Sequence, residues 1–209
     1  MDRGYFIFAQ GEQYIQLAYA LCLSIKNTQT INSVCVAIGP DDHMPVEYKK
    51  VFDHVVRVRN VGLKYPMANE WQVWELTPYK ETIHIEADML LTSNIDHWWT
   101  ELQEHDLLFT SRVKDYRGNT ASSNFYRRHF DKKGLPKIYN GFYYFRYSKL
   151  AHMFFEKAKE VSARYKWYAE HFFAGTWYPH TPTTDEIFSI TAYLLDIEKI
   201  VFNKHSALP

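Results

Sequence analysis

The chain has 209 residues, enough for one domain with a sizeable hydrophobic core. Lys+Arg and Asp+Glu balance at 24 each, so the overall charge indicates neither a nucleic acid nor a membrane surface as partner. Hydrophobic residues make up 46%, as in ordinary globular proteins, and the unusual feature is the aromatic content of 16 Tyr, 14 Phe and 6 Trp. Such residues suit a packed core and also stacking on bases or sugars.

The two cysteines, Cys22 and Cys35, lie in apolar runs, and their number excludes a disulfide framework and a structural zinc site. The N-terminal residues lack the pattern of a signal peptide. No apolar run is long enough to cross a bilayer. We therefore expect a cytoplasmic protein with no membrane span, built as a single domain over residues 1–209.

Strands and helices alternate along the N-terminal half. Leu17, Leu21 and Ile25 recur at helical spacing after a first apolar run, and Gly39-Pro40 ends a second one. The pattern predicts strands over 5–9, 34–38 and 54–58, with helices over 14–26 and 45–52.

The C-terminal half continues this pattern. It predicts strands over 82–85, 107–110, 137–146 and 201–202. It also predicts a short helix over 97–104 capped from 94–96, a long amphipathic helix over 150–172, and a helix from 183 to about 195. Strands that alternate with helices indicate an α/β fold with a mostly parallel central sheet flanked by helices.

Two acids follow the strand over 82–85 directly, as Glu86-Ala87-Asp88. Ligands of open α/β sheets bind beyond the carboxyl ends of the strands. The pair lies in an extended or turning segment, and residues two apart on a strand point the same way, so the two carboxylates would bind Mg²⁺ or Mn²⁺ together with substrate phosphates. A pair of solvated turn carboxylates is the alternative, but the apolar residues on both sides favour a cation.

Residues 77–90, TPYKETIHIEADML, resemble the PY-x-x-hydrophobic-D-A-D segment of GT-A glycosyltransferases, the glycogenin-like family 8 in particular. Three further segments resemble that family in the same order. Residues 14–25 are similar to its first helix, YNGFYYF at 139–145 to the strand under the donor sugar, and TDEIFS at 184–189 to an acidic helix start. The resemblance extends from about residue 5 to residue 202.

The resemblance implies a GT-A fold and the transfer of a hexose or pentose from a nucleotide-diphosphate sugar to a hydroxyl acceptor, with retention of configuration. Glu86 and Asp88 would bind Mn²⁺ or Mg²⁺ and the donor diphosphate. Ala9, Gln10 and Tyr14 would meet the base, Lys64 would be the basic residue before the acids, and Gly141 would line the sugar. Asn140, beside that sugar, and Asp185, facing sugar and acceptor, would be the catalytic residues.

The chain departs from the family pattern in two places. Its first acid is Glu86 where the family has Asp, and no Gly-Lys-Pro-Trp-like run follows the late His205. Three explanations stay open: a C-terminally truncated chain, a metal site completed by other residues, or a weak metal site. Asn140-Gly141 can equally mark a strand bulge, and Asp185 a helix N-cap. A nucleotidyltransferase and a non-catalytic nucleotide-sugar or carbohydrate binding protein are the alternative functions.

Residues 112–137 form a basic stretch with eight Lys or Arg and two Asp, a net charge of +6 in an otherwise balanced chain. Phe125, Tyr126 and Phe130 are interleaved with these charges. Basic and aromatic residues together favour a polyanionic acceptor such as a modified base in DNA. A solvated loop and a clamp on the donor diphosphate are the alternatives.

Overall fold

A computed structural model describes residues 2–59, 66–111, 130, 133–175, 178 and 180–198. Its strands are β1 Arg3–Ala9, β2 Val34–Ile38, β3 His54–Arg57, β4 Glu81–Ile85, β5 Leu107–Thr110 and β6 Tyr139–Arg146. Its α-helices are α1 Glu12–Thr28, α2 Val46–Lys49, α3 Val73–Leu76, α4 Trp98–Leu102, α5 Lys149–Ala163, α6 Tyr165–Phe172 and α7 Thr184–Leu194. A 3-10 helix, Pro66–Gln72, precedes α3.

The six strands form one sheet in the order β3-β2-β1-β4-β6-β5. The first four strands run parallel to one another, while β6 runs antiparallel to both β4 and β5. The predicted α/β class with a mostly parallel sheet is therefore confirmed. Because β6 is antiparallel, its first residues lie at the edge where β1, β2 and β4 end.

Successive residues of β1 face opposite sides of the sheet, and both sides are buried. Phe6 and Phe8 pack in a hydrophobic cluster with residues of α5 and α7, whereas Tyr5 and Ile7 pack in a second cluster with residues of α1 and α4. Helices thus cover both faces of the sheet. The carboxyl edge between these two layers is where a ligand can reach the strands.

The predicted long helix over 150–172 is wrong, because the chain breaks between α5 and α6 at Arg164, whose φ is −115° and ψ 24°. Both helices bury residues of the same cluster, Phe154 and Val161 before the break and Tyr165 and Tyr168 after it. The apolar spacing therefore continues through the break, and periodicity alone does not detect it.

Two further predictions need correction. The helix over 45–52 is a single turn, α2, with no buried residue to anchor more turns. The residues at 94–96 do not cap α4, since its N-cap is His97 without a side-chain bond. Asp96 instead accepts hydrogen bonds from the backbone of Thr30 at 2.8 Å and Ile31 at 3.3 Å, and so holds the α1–β2 connection. The strand predicted at 201–202 lies outside the described residues.

Across the part of the chain that the structure describes, no helix has both the length and the apolar character needed to span a bilayer.

A capping box starts α7, with the Thr183 hydroxyl accepting from the Glu186 N–H and the Glu186 carboxylate accepting from the Thr183 N–H. We predict that Thr183→Ala lowers the free energy of unfolding by about 1 kcal/mol because this cap is lost. Thr183→Ser, which keeps the hydroxyl, should stay within a few tenths of a kcal/mol (about 0.3) of the wild type. Urea unfolding measures both, and equal losses in the two variants would contradict the capping role.

Candidate functional site

A cavity of about 330 Å³ opens at the carboxyl edge of the sheet. Its walls come from the ends of β1 and β4, the start of α1, the 3-10 helix and the connection before α7. The residues that line it are Phe8, Gln10, Tyr14, Pro66, Met67, Glu70, His84, Glu86, Ala87, Asp88 and Thr181. The acidic pair thus lies in a cavity beyond the end of β4, at the position that the sequence predicts.

The two acids lie in a tight turn. β4 ends at Ile85, and the Met89 N–H donates to the Glu86 carbonyl oxygen at 3.1 Å, so residues 86–89 close on themselves. The two acids thus lie in a turn beyond the strand, and both side chains line the cavity. Ala87 is buried and anchors the turn, with Glu86 half-buried and Asp88 exposed on either side.

The turn is attached to β6 through Gly141. The Glu86 N–H donates to the Gly141 carbonyl oxygen at 3.0 Å. A Cβ added to Gly141 would lie 3.0 Å from Glu86 Oε2 and 2.7 Å from Met89 Cε, and it would also collide with the Tyr139 ring. A side chain at this position would therefore displace the Tyr139 ring and the ends of the Glu86 and Met89 side chains.

Asn140-Gly141 lies where the pairing of β5 with β6 becomes irregular, as the bulge alternative expects. The β5–β6 register shifts between Phe109 and Thr110, so that Thr110 pairs with Tyr139. The Thr110 hydroxyl lies 3.1 Å from the Tyr139 carbonyl oxygen and 3.0 Å from that of Phe142, and it donates across the irregularity. The bulge re-aims the start of β6 next to the acidic turn.

A second carboxylate network lies beside the turn, centred on Asn140, which is only 2% exposed. Its backbone N–H donates to Asp185 Oδ1 at 2.7 Å, and its side-chain Nδ2 donates to Glu70 Oε2 at 2.7 Å. Thr184 Oγ1 donates to the same Glu70 oxygen at 2.5 Å. The network therefore joins the 3-10 helix, the start of β6 and the first turn of α7.

The predicted site residues at the start of β6 and of α7 lie behind the cavity wall rather than on its surface. Asn140, Gly141 and Asp185 lie close to the cavity but are not among the residues that line it, whereas Glu70 is. The alternative of Asp185 as an N-cap is wrong, because Thr183 caps α7. Sequence reasoning missed Glu70, which no local pattern distinguishes from an ordinary surface glutamate.

Burial shifts the pKa of two groups that line the cavity, Glu70 and His84, and of Tyr143 nearby. Burial, together with the negative charge of Asp185, raises the pKa of Glu70 to about 7, although the hydrogen bonds from Thr184 and Asn140 oppose this. Burial, followed by the charges of Glu70 and Glu86, raises the pKa of Tyr143 well above its usual value. Burial lowers the pKa of His84 to about 3 against an opposing contribution from the Phe6 backbone, so this imidazole is neutral at pH 7.

The lining of the cavity is anionic. Glu70, Glu86 and Asp88 line it, and no Lys or Arg is among its described lining residues. Two carboxylates completed by water and phosphate oxygens form the oxygen set that Mg²⁺ and Mn²⁺ prefer. Within the described ranges no three His, Cys, Asp or Glu side chains group as a metal site. Glu86 and Asp88 thus offer two oxygen ligands of the kind that a divalent cation takes.

The other end of the cavity lies at the β1–α1 connection. Ala9 is fully buried there, Gln10 Nε2 donates to the Pro66 carbonyl oxygen at 3.1 Å, and the Tyr14 side chain is 47% exposed. Asp42, which sequence reasoning also missed, holds this connection, since its Oδ2 accepts from Gly11 N at 2.8 Å and Gly39 N at 2.7 Å. The predicted residues Gln10 and Tyr14 thus line the cavity, while Ala9 is not among its lining residues.

Two predicted features fall largely or wholly among residues that the structure leaves out. Lys64 lies in the gap at 60–65, and of the basic stretch 112–137 only residues 130 and 133–137 are described. In that remnant, Lys133 Nζ donates to the Ala174 carbonyl oxygen at 3.0 Å.

Comparison with known proteins adds no family. A scan against protein-family models gave no match for the chain, and a search among curated proteins gave no significant match either.

The raised pKa of Glu70 predicts how stability depends on pH. The folded-state pKa of about 7 lies above the ordinary value of 4.5, so the folded protein holds this proton more tightly than the unfolded chain does. The free energy of unfolding should therefore fall as the pH rises from about 4.5 through 7, by on the order of 1–3 kcal/mol. Glu70→Gln keeps an acceptor for Thr184 and Asn140 and should remove that fall.

Urea unfolding of the wild type and Glu70→Gln at pH 5 and pH 8 measures this difference. Glu47→Gln is the matched control, because Glu47 is exposed on α2 and its loss should leave the pH dependence unchanged. If the free energy of unfolding changed equally with pH in the wild type and in Glu70→Gln, Glu70 would not have a raised pKa in the folded protein, and the prediction would be contradicted.

Proposed function

We propose that the chain is a metal-dependent glycosyltransferase of the GT-A type, which moves a sugar from a nucleotide-diphosphate sugar to a hydroxyl acceptor. The observation that carries this proposal is the acidic turn at the end of β4, which opens into a 330 Å³ cavity lined by three carboxylates and by no described Lys or Arg. A nucleoside diphosphate is repelled by such a lining unless a divalent cation binds with it.

The convergence of the four resembling segments supports the same proposal. The start of α1, the turn at Glu86–Asp88, the Asn140-Gly141 bulge and the first turn of α7 are far apart in the chain but meet at one edge of the sheet. Four short segments that resembled the family only by chance would have no reason to lie together in the fold.

Glu86 and Asp88 would hold the divalent cation in this proposal, and the cation would stabilise the charge that develops on the leaving diphosphate. Tyr14 presents an exposed ring on which a base can stack, and Gln10 lies beside it at the cavity wall. The backbone of Ala9 ends β1 at the same place. These three residues would form the base end of the donor site.

Asn140 and Asp185 would act as positioning residues. The Asn140 amide is engaged with Glu70, and the Asp185 carboxylate with the Asn140 backbone, so both fix the cavity wall on which Glu70 sits. Gly141 gives the acidic turn room to pack. We propose retention of configuration on the basis of the family resemblance. We propose a hydroxyl in DNA as a candidate acceptor on the basis of the basic stretch 112–137.

The β1–α1 connection argues against a nucleotidyltransferase. Such an enzyme would use a glycine-rich loop whose backbone N–H groups hold phosphate. Gly11 is the only glycine of this connection, and its N–H already donates to Asp42 Oδ2 at 2.8 Å. A non-catalytic binding protein would share the donor site and differ only in releasing no product.

Thermal unfolding with UDP-, GDP-, ADP- and CMP-sugars, with and without Mn²⁺, tests the donor site. A ligand that binds only the folded state raises its stability, and at 100 times its Kd the melting temperature should rise by roughly 5–10 °C. We expect this rise with one nucleotide, only with Mn²⁺ present, and its loss in Asp88→Ala.

Asp41→Ala is the matched control, since Asp41 is an exposed acid that lines a different cavity. It should keep the metal-dependent rise. No rise with any nucleotide sugar, or an equal rise in the presence of a chelator, would overturn the proposal. Release of free nucleoside diphosphate over time then separates a transferase from a binding protein.

A further inference from the structure

Glu70 lies next to the place where the acidic turn would hold a diphosphate. Glu70 Oε2 accepts from Asn140 Nδ2 at 2.7 Å, and the next residue, Gly141, accepts from the Glu86 N–H at 3.0 Å. Asn140, which bonds to Glu70, and Gly141, which bonds to Glu86, are therefore consecutive residues of β6. Glu70, Glu86 and Asp88 also line the same cavity of about 330 Å³, so a group attached to a diphosphate at Glu86 and Asp88 would lie in the cavity that Glu70 lines.

The Glu70 carboxylate is held rigidly. Both of its hydrogen bonds, from Asn140 and from Thr184, end on the same oxygen, Oε2, so neither uses Oε1. The residue is half-buried and lines the cavity. Since the two donors come from different elements, β6 and α7, the carboxylate cannot turn away from the cavity without losing one of them.

No described positive charge offsets this carboxylate. The groups that face it from the packed elements are Thr184 and Asp185 of α7, Asn140 and Tyr143 of β6, and the neutral His84 of β4. Asp185 is itself an acid close enough to raise the pKa of Glu70. Glu70 and Asp185 therefore place two acids next to each other at this wall of the cavity.

We propose, on the basis of the function proposed above, that Glu70 makes the donor site selective for uncharged or cationic sugars and excludes nucleotide-linked uronic acids. Hydroxyl and ammonium groups can donate to a carboxylate. The carboxylate of a uronic acid would instead be placed against Glu70 and Asp185, and like charges brought together in a partly buried site are strongly disfavoured.

The test compares two donors that differ only at one carbon. Calorimetric titration with Mn²⁺ gives the affinities of UDP-glucose and UDP-glucuronate, or of GDP-mannose and GDP-mannuronate if the guanine nucleotide binds. The nucleoside diphosphate alone is the reference in each variant. At about pH 8.5, well above the Glu70 pKa of about 7, the wild type should bind the neutral donor about 10-fold or more tightly than the uronate. Glu70→Gln should reduce that ratio at least about fivefold by removing the charge.

Asp41→Asn removes an acid outside the cavity and should leave the ratio unchanged. If Glu70→Gln does not fold, the wild type is titrated from pH 6 to pH 8.5, where the ratio should rise as Glu70 ionises. A ratio that is equal in wild type and Glu70→Gln, or that does not vary with pH, overturns the proposal. Failure of every nucleoside diphosphate to bind with Mn²⁺ overturns the donor site itself, and is a different result.

Discussion

The antiparallel pairing of β6 with β4 is the constraint on which the candidate site depends. It brings the first residues of β6 to the edge where the parallel strands end, so that the Gly141 carbonyl oxygen receives the Glu86 N–H and Asn140 reaches Glu70. The bulge opposite Thr110 adjusts this start of the strand. Were β6 parallel to β4, its first residues would lie at the opposite edge, and the two carboxylate networks would be separated by the length of the sheet.

The arrangement concentrates negative charge in a partly enclosed space. Glu70, Glu86 and Asp88 line one cavity, and the positive charge that the neighbouring His84 would contribute is removed by its burial. Carboxylates so placed must take up protons, bind a cation or contact groups that donate hydrogen bonds. Glu70, whose pKa is raised, takes up a proton more readily. Asp88, the exposed acid of the turn, is suited to binding a cation. The proposed function and the proposed sugar selectivity both follow from this charge.

The sequence predicts most of the sheet but only part of the site. The strands at 34–38 and 107–110 are found at their predicted bounds, because short buried strands have continuous apolar runs. The acidic turn is also found where the strand ends. Glu70 escapes prediction because its partner Asn140 lies 70 residues away. Asp42 has a local partner in Gly39, but its bond to Gly11, 31 residues away, is what ties it to the cavity, and no local pattern contains that bond. The break between the helices at Arg164 is not predicted, because the helical spacing of apolar residues continues through it.

The central claim is that this acidic cavity holds a phosphate-bearing ligand through a divalent cation. Crystals grown with Mn²⁺ and the nucleoside diphosphate that binds, measured at the manganese absorption edge, would locate the cation directly by its anomalous signal. We expect a peak roughly 2.0–2.2 Å from carboxylate oxygens of both Glu86 and Asp88, next to the bound diphosphate. A diphosphate bound in the cavity with no manganese at these two residues, or manganese bound at another place, would contradict it.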